Sequence, residues 1–251
     1  MMQDLSALRA LTRARVALGR VGDAQKSRDV LDFQLAHARA RDAVYSAADF
    51  AAIARDLAPH PTLLVESRAA SRADYLKRPD HGRRLSDAAR ARLTGGPWDI
   101  VFVLGDGLSS IAVEAYAART FRAAEALLSD FAVGPAVLAA QARVALGDEV
   151  GETLGARLVV MLIGERPGLT TCDSLGAYLT YAPRVGCRDN ARNCISNIHA
   201  EGLPPEVAAQ KIAWLAREGL RLKLTGVGLK EDAGLLANQS PTSLIAPDPT
   251  P

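Results

Sequence analysis

The chain has 251 residues, of which 49% are hydrophobic and 23% charged, and this is the composition of a globular protein long enough to bury a sizeable core. Its longest apolar run, Leu158 to Ile163, falls far short of the roughly 20 residues that a membrane-spanning helix needs. The cysteines Cys172, Cys187 and Cys194 have no zinc-site spacing and cannot all pair within one chain. A membrane protein and a zinc-ribbon protein are thereby excluded, and we expect a cytoplasmic protein without a secretory signal.

The charges are unevenly distributed along the chain. Residues 1–94 carry 17 basic and 11 acidic side chains, whereas residues 95–251 carry 13 and 17, so the two parts have net charges of +6 and −4. Acids are scattered among the arginines and aromatic residues are not interleaved with them, which disfavours a nucleic-acid partner. The asymmetry instead indicates a protein partner or a solvated helical surface.

The first third of the chain is predicted to be mostly helical. A helix over Lys26–Tyr45 is expected to pack through one stripe of residues spaced by three and four positions. The members of that stripe are Leu31, Leu35, Ala38, Asp42 and Tyr45. A second, shorter helix is predicted over Ser86–Leu93, with Ser86 as its N-cap. We therefore predict a helical N-terminal region over residues 1–94.

From residue 95 onward, predicted strands alternate with helices. Strands are predicted over Ile100–Leu104, residues 132–138, Leu158–Ile163 and Tyr178–Tyr181. Helices are predicted after Ser109, over residues 148–154 and after Pro204. The helix after Ser109 is predicted to bury Val113, Ala117, Phe121, Ala124 and Leu128. The helix after Pro204 is predicted to bury Ala208, Ile212, Leu215 and Ala216. Apolar runs without alternation indicate strands buried on both faces. The sequence thus predicts a Rossmann-like α/β domain over residues 95–230, with an open, mostly parallel sheet, followed by a flexible tail at 231–251.

Two glycine loops follow predicted strands, where open α/β sheets bind ligands. In the first, Gly105 to Ser110, small residues permit close backbone approach, although Asp106 and Ser109 are also suited to capping a helix. This loop half-matches the dinucleotide fingerprint but lacks its third glycine, so a stand-alone nucleotide-binding enzyme is one alternative. The second loop, Gly164 to Gly168, contains adjacent opposite charges that could be a structural ion pair or part of a site.

Cys194 and His199 lie close together in the segment CISNIH. A nucleophile and its base are usually brought together by the fold rather than by sequence proximity, so a buried structural cysteine is the favoured interpretation on chemistry alone. No HExxH motif or carboxylate cluster is present, and the sequence predicts no metal ligand and no catalytic residue.

Several long motifs occur in a fixed order along the chain, and together they identify a family more specifically than any one of them would. They are GRVG from Gly19, HARARDAV from His37, YLKRPDHGRRL from Tyr75, GDGLS from Gly105, GERPGL from Gly164 and CISNIH from Cys194. Through these motifs the chain resembles the small subunit of ethanolamine ammonia-lyase, an adenosylcobalamin-dependent enzyme, over most of its length.

That resemblance implies a subunit that is not active alone. A separate large subunit, a barrel, is expected to bind ethanolamine and host its radical conversion to acetaldehyde and ammonia, in a hetero-oligomer of both subunits. The resemblance places cobalamin contacts at Val144, Glu165 and Cys194, the cysteine acting through packing or its backbone. Whether the cytoplasmic complex is enclosed in a bacterial microcompartment stays open.

Two further expectations concern the cofactor and the partner. The pattern Asp-x-His-x-x-Gly, by which many B12 proteins supply a histidine to cobalt, is absent, so we expect the cofactor to be bound base-on with its own dimethylbenzimidazole. The positive N-terminal region, including Arg28, Arg39 and Arg41, is expected to contact the large subunit. A pure scaffold, whose loops only pack, is the remaining alternative.

Overall fold

The computed structural model describes Val16 and residues 18–230, and the predicted tail lies outside these residues. The helices are α1 (Ser27–Tyr45), α2 (Phe50–Leu57), α3 (Arg72–Lys77), α4 (Asp87–Arg92), α5 (Ser110–Leu127), α6 (Leu146–Leu154) and α7 (Pro205–Leu222). The strands are β1 (Arg20–Val21), β2 (Ala24–Gln25), β3 (Thr62–Glu66), β4 (Ile100–Gly105), β5 (Ala136–Ala140), β6 (Leu158–Gly164), β7 (Leu175–Tyr181) and β8 (Arg192–Ile198). In the described part of the chain, no helix is long and apolar enough to cross a membrane.

Six strands form one mixed sheet in the order β3-β5-β4-β6-β7-β8. The first four strands are parallel to one another, whereas β7 runs antiparallel to both β6 and β8. The predicted α/β class with a mostly parallel sheet is therefore confirmed. Because β4, β5 and β6 are parallel, the loops that follow them emerge at the same edge of the sheet.

Helices cover both faces of this sheet. Helices α2, α5 and α7 pack on one face and bury alternate residues of the central strands, such as Phe102. Helices α4 and α6 pack on the other face, against the residues between them, such as Val101 and Val103. Burial on both faces explains why the sequences of β4 and β6 are continuous apolar runs. Each fully buried Val, Leu, Ile or Phe side chain contributes about 1.5–3 kcal/mol to the stability of the fold.

Most local predictions for the sheet region are confirmed. The side chains of Ser86 and Ser109 accept hydrogen bonds from the third residue after them, at 3.0 and 3.2 Å, and so cap α4 and α5. The predicted inner faces of α5 and α7 are buried. Strand β5 begins later than predicted, after Pro135, since proline has no N–H to donate to a sheet.

Two strands of the main sheet were not predicted, and both lie at its edges; the two-residue strands β1 and β2 were not predicted either. Strand β3 belongs to the segment predicted as a helical N-terminal region, yet it pairs with β5 in the main sheet. Strand β8 contains the CISNIH motif except its final residue, His199, and pairs with β7. Edge strands with one poorly covered face lack the continuous apolar run that marks β4 and β6. The division of the chain at residues 94 and 95 stays a prediction.

Helix α1 exists as predicted, but its predicted inner stripe is wrong. Leu31, Leu35 and Tyr45 are 63%, 51% and 61% exposed, and Ala38 and Asp42 are exposed as well. Its buried residues are Asp29 and Ala43. Periodicity correctly predicts the helix, but it does not predict what covers the apolar stripe. In the described part of the chain this stripe faces solvent.

Candidate functional site

The loops after β4, β5 and β6 meet beside the N-terminus of α6. They comprise residues 106–109, 141–145 and 165–174. The third loop is a long connection between antiparallel strands, and it is closed at its base by the Glu165 N–H, which donates to the Ser174 carbonyl at 2.8 Å. At its tip the Gly168 N–H donates to the Thr171 carbonyl at 2.8 Å, so the loop is internally bonded.

The two glycine loops pack directly on one another. Gly107 has φ +55°, and a Cβ atom placed there would lie 2.2 Å from the Gly164 carbonyl oxygen. A Cβ atom on Gly164 would lie 2.1 Å from the Ser109 carbonyl oxygen. Both positions therefore require glycine, and the reason is the contact between the loops.

This packing uses the donors that a phosphate-binding loop would need. The Leu108 N–H donates to the Gly164 carbonyl at 2.9 Å, and the Asp106 N–H donates to the Ala139 carbonyl at 3.3 Å. Ser109 caps α5 and donates its hydroxyl to the Cys172 carbonyl at 2.7 Å. Because these groups are engaged within the protein, the geometry disfavours the dinucleotide-loop interpretation.

Asp106 ties the first loop to its neighbours. Its buried carboxylate accepts from the Ala142 N–H at 3.0 Å and from Arg72 at 3.3 Å. Burial raises the pKa of this carboxyl, against the lowering effect of backbone N–H groups and of Arg72. Arg72 also donates to the carbonyls of Gly107 at 2.9 Å and Val44 at 2.6 Å, so α3 links the loops to the end of α1. Asp106 is thus a structural anchor.

The YLKRPDHGRRL segment forms one wall of the site. The guanidinium carbons of Arg72 and Arg143 lie 4.6 and 4.2 Å from the centroid of the buried Tyr75 ring, within cation–π distance. Its hydroxyl donates to the Ala142 carbonyl at 3.0 Å. Gly82 lies against this pair, since a Cβ atom there would be 2.8 Å from Arg143 Cγ. Arg143 is thereby held over the mouth of the loops.

Three adjoining cavities lie along this surface. The glutamate cavity, of about 390 Å³, is lined by Tyr75, Gly107, Leu108, Arg143, Val144, Ile163, Gly164, Glu165, Arg166 and Tyr178. The cysteine cavity, of about 260 Å³, is lined by Arg83, Arg143, Val144, Ala145, Tyr178, Asp189, Arg192 and Cys194. The arginine cavity, of about 360 Å³, is lined by Arg83, Arg84, Ala145, Val185, Gly186, Cys187, Arg188, Asp189 and Arg192.

The three residues predicted from the resemblance are brought together here. Val144 lines both the glutamate and the cysteine cavities, Glu165 lines the first, and Cys194 lines the second. They come from the loop after β5, the start of the loop after β6 and the strand β8, three segments well separated in sequence. The fold therefore places them around one continuous concave surface.

Of the two carboxylate oxygens of Glu165, one accepts hydrogen bonds within the described part of the protein and the other does not. Its Oε2 accepts from the Ser174 hydroxyl at 2.5 Å and from the Asn197 N–H at 3.1 Å. Its Oε1 lies beside Gly176, where a Cβ atom would be 3.0 Å away. Within the described residues no ion pair joins Glu165 to Arg166, so the structural ion-pair interpretation is wrong. A fixed carboxylate with a free oxygen can accept a hydrogen bond from a ligand.

Cys194 is exposed, so its interpretation as a buried structural residue is wrong. It pairs across the sheet with Tyr178, and the two side chains interact within the cysteine cavity. Desolvation raises the pKa of the Cys194 thiol, and the nearby Glu165 carboxylate raises it further. His199 is buried and bonds to Asn197 at 2.9 Å and to the Glu201 N–H at 3.3 Å instead. The thiol is therefore not activated as a nucleophile.

Two ion pairs that involve buried carboxylates support the far side of the site. Arg192 on β8 contacts Asp148 on α6 at 2.5 Å, and both side chains are 2% exposed. Burial raises the pKa of the Asp148 carboxyl, against the lowering effect of Arg192. Glu149 accepts from Arg84 at 2.8 Å and from the Leu85 N–H at 3.0 Å. These pairs fix α6 against β8 and against the segment before α4.

Sequence reasoning missed several residues that line these cavities. Tyr75, Arg83 and Arg84 belong to the recognised YLKRPDHGRRL motif. Their occurrence in that motif is the sequence signal from which they could have been predicted as site residues. Arg143 and Tyr178 belong to no recognised motif, and only the pairing of distant segments brings them to the site. No group of three or more potential metal ligands occurs among the residues that the structure describes.

Comparisons with known proteins identify the family to which this chain is similar. The sequence profile of the family Ethanolamine ammonia-lyase light chain (EutC) matches residues 2–230. A protein of Rhodopseudomonas palustris strain BisA53, named ethanolamine ammonia-lyase small subunit, is 52% identical over 98% of this chain and 97% of its own. Proteins of the same name from Bradyrhizobium diazoefficiens and Pseudomonas aeruginosa are 53% and 48% identical, over 90% and 92% of this chain and 90% and 88% of their own.

Proposed function

This chain belongs to the ethanolamine ammonia-lyase small-subunit family, and from that premise we propose that it holds adenosylcobalamin in a complex with a large subunit. In that complex the large subunit converts ethanolamine to acetaldehyde and ammonia, and this chain is inactive alone. When bound, the cofactor supplies the radical chemistry. The residues of this chain bind and orient it and contribute no catalytic group.

The observation that carries the proposal is the convergence of Val144, Glu165 and Cys194. Each comes from a different segment, and together they line two cavities that share Val144, Arg143 and Tyr178. Ligand sites in open α/β sheets lie where strand ends and loops converge. A concave surface that extends across two chambers suits a large, flat ligand better than a small metabolite.

The chemistry of this surface fits the rim of a corrin, which is a ring of neutral amides. Glu165 Oε1 can accept from an amide N–H, because Ser174 and Asn197 hold Oε2. Arg143 lines both cavities, and its Nε is buried without a hydrogen-bond partner in the described structure. An amide carbonyl would satisfy that donor, whose burial is otherwise costly.

The lining residues also fit a base-on cofactor. Of the described residues that line the glutamate and cysteine cavities, none is histidine. Cys194 has a raised pKa and is disfavoured as a thiolate ligand. Cobalt would then keep its own dimethylbenzimidazole, and Cys194 with Val144 would contribute packing.

The exposed stripe of α1 is the surface we assign to the large subunit. Leu31, Leu35 and Tyr45 would become buried on assembly. Contact with the large subunit would thus explain why α1, which has few buried residues, carries an apolar stripe. Arg28, Arg39 and Arg41 on the same helix are exposed and would contribute electrostatic complementarity.

Glu165 offers the sharpest test of cofactor binding. The chain is co-expressed with an ethanolamine ammonia-lyase large subunit, and cobalamin affinity of the complex is measured by equilibrium dialysis and by the visible spectrum. Glu165→Ala should weaken binding by about tenfold, the cost of one charged hydrogen bond, whereas Glu165→Gln should keep part of the contact. Glu206→Ala, which removes a surface carboxylate of α7 outside the cavities, is the matched control.

Equal affinity for all three Glu165 forms would remove this residue from the site. Tight cobalamin binding by the large subunit alone would favour the scaffold alternative. Binding of NAD or ATP by the purified chain would favour the nucleotide-binding enzyme, against which the engaged donors of the Gly105–Ser110 loop argue.

A further inference from the structure

The arginine cavity continues the surface on which the proposed cofactor site lies. It shares Arg83, Ala145, Asp189 and Arg192 with the cysteine cavity, which in turn adjoins the glutamate cavity. The three chambers therefore form one path. The first two present Glu165, Val144 and Cys194, whereas the third presents arginines.

The arginines of the third chamber differ in how their charges are compensated. Arg84 and Arg192, at its floor, are paired with the buried carboxylates of Glu149 and Asp148. Arg83 and Arg188 are exposed, and within residues 18–230 neither has an ion-pair or hydrogen-bond partner for its side chain. The nearby carboxylate, Asp189, contacts Arg192 at 3.4 Å. The rim of the chamber thus carries two uncompensated positive charges.

Ordered backbone positions both of these charges. Arg83 ends a 3-10 turn over His81–Arg83, whose Gly82 packs against Arg143 and whose carbonyl accepts from the Arg143 N–H at 2.7 Å. Arg188 precedes a second 3-10 turn over Asp189–Ala191, and its carbonyl accepts from the Ala191 N–H at 3.0 Å. Guanidinium groups on fixed turns facing a concave surface are suited to phosphate oxygens.

We propose that the arginine cavity binds the phosphodiester in the nucleotide tail of cobalamin, with Arg83 and Arg188 as its ligands. This inference rests on the proposed function, because it takes cobalamin to occupy the other two chambers. The phosphodiester is the anionic group of a tail that leaves one edge of an otherwise amide-rimmed ring. With the ring over the first two chambers, the third is the adjoining chamber, and it presents the uncompensated positive charge that a phosphodiester requires.

The test compares two corrinoids on the complex of this chain with its large subunit. Cobalamin carries the phosphodiester tail, and cobinamide has the same ring without it. The double variant Arg83→Gln/Arg188→Gln should weaken cobalamin binding by at least about tenfold, because it removes two charge-assisted contacts, and should leave cobinamide binding unchanged. Arg83→Lys/Arg188→Lys should restore part of the affinity. Arg55→Gln, an exposed arginine of α2 that lines none of the three chambers, is the control.

A competition arm separates the tail from free phosphate. Inorganic phosphate should weaken cobalamin binding to the wild-type complex more than chloride at equal ionic strength does, and should leave cobinamide binding unaffected. Equal losses for cobalamin and cobinamide in the Gln variant, or no loss for either, would overturn the phosphodiester assignment while leaving the Glu165 results intact. If the wild-type complex binds neither corrinoid, the proposed function fails and this inference fails with it.

Discussion

The loop end of the sheet and helix α1 are built in opposite ways. At the loop end, buried charges are paired and glycines are in backbone contact, as at Asp148 with Arg192 and Gly107 with Gly164. On α1, apolar side chains such as Leu31 are exposed and two residues of the helix are buried. The first region pairs its buried carboxylates Asp106, Asp148 and Glu149 within the chain, whereas the second leaves apolar side chains exposed to solvent. Substitutions of the buried ion pairs and contact glycines should therefore affect folding, those of Glu165 and its partner Ser174 should affect cofactor binding, and those on α1 should affect assembly.

The largest effect is expected at the contact between the two glycine loops. Gly164→Ala would place a methyl group 2.1 Å from the Ser109 carbonyl oxygen, so backbone must move. We expect the free energy of unfolding to fall by about 3 kcal/mol or more, measured by denaturant titration. Gly168→Ala in the same loop is the control, because its nearest neighbour would be at 3.5 Å, and it should change stability by less than about 0.5 kcal/mol. Similar values for both variants would refute the close-contact explanation.

The buried carboxylate of Glu149 should give the next largest effect. Burial acts to raise its pKa, but Arg84, the Leu85 N–H and Arg90 outweigh this and hold the pKa below the ordinary value of 4.5. The carboxylate therefore contributes stability above pH 4.5 that is lost as the pH falls through the lower, folded-state pKa. Glu149→Ala should destabilise by about 3 kcal/mol at pH 7 and flatten the acid limb of a stability–pH profile.

The exposed pair of Glu206 and Arg119 provides the contrast for Glu149. Its side chains are 49% and 63% exposed, and Glu206→Ala should cost less than about 1 kcal/mol. An acid limb that is unchanged in the Glu149 variant would show that this carboxylate does not couple folding to pH.

A smaller effect is expected from the residue that orients Glu165. Ser174→Ala removes the hydroxyl that donates to Oε2 at 2.5 Å, while the Asn197 N–H keeps its bond. Cobalamin affinity of the assembled complex should fall by about 1 kcal/mol, and Ser174→Thr should retain most of it. Ser196→Ala, an exposed serine of β8, is the control. Unchanged affinity in Ser174→Ala would mean that the orientation of Glu165 does not matter to binding.

The smallest effect on folding is expected on α1. Leu31→Ser and Leu35→Ser alter side chains that are already more than half exposed, so the stability of the isolated chain should change by less than about 0.5 kcal/mol. Affinity for the large subunit, measured by titration of the two subunits, should nevertheless fall by about 1–2 kcal/mol for each. Leu64→Ser, at a residue of β3 that is 59% exposed, is the control for assembly. Intact assembly after both α1 substitutions would exclude this stripe from the interface.

Local sequence patterns determined the central strands, the amphipathic helices and their caps. The apolar runs of β4 and β6 are set by burial on both faces, and Ser109 begins α5 because its side chain satisfies a free N–H. Both effects act over a few residues, so they are readable in sequence. The resemblance supplied Val144, Glu165 and Cys194, which periodicity and spacing would not have singled out.

Only the tertiary structure decided what those patterns face. Strand pairing sets Cys194 beside Tyr178, and loop contacts, rather than a phosphate, account for the glycines at 107 and 164. The exposure of the α1 stripe and the clustering of arginines around the third chamber depend on packing between segments far apart in sequence. A one-dimensional pattern records that a face is apolar or charged, but the group that covers it is fixed by long-range contacts.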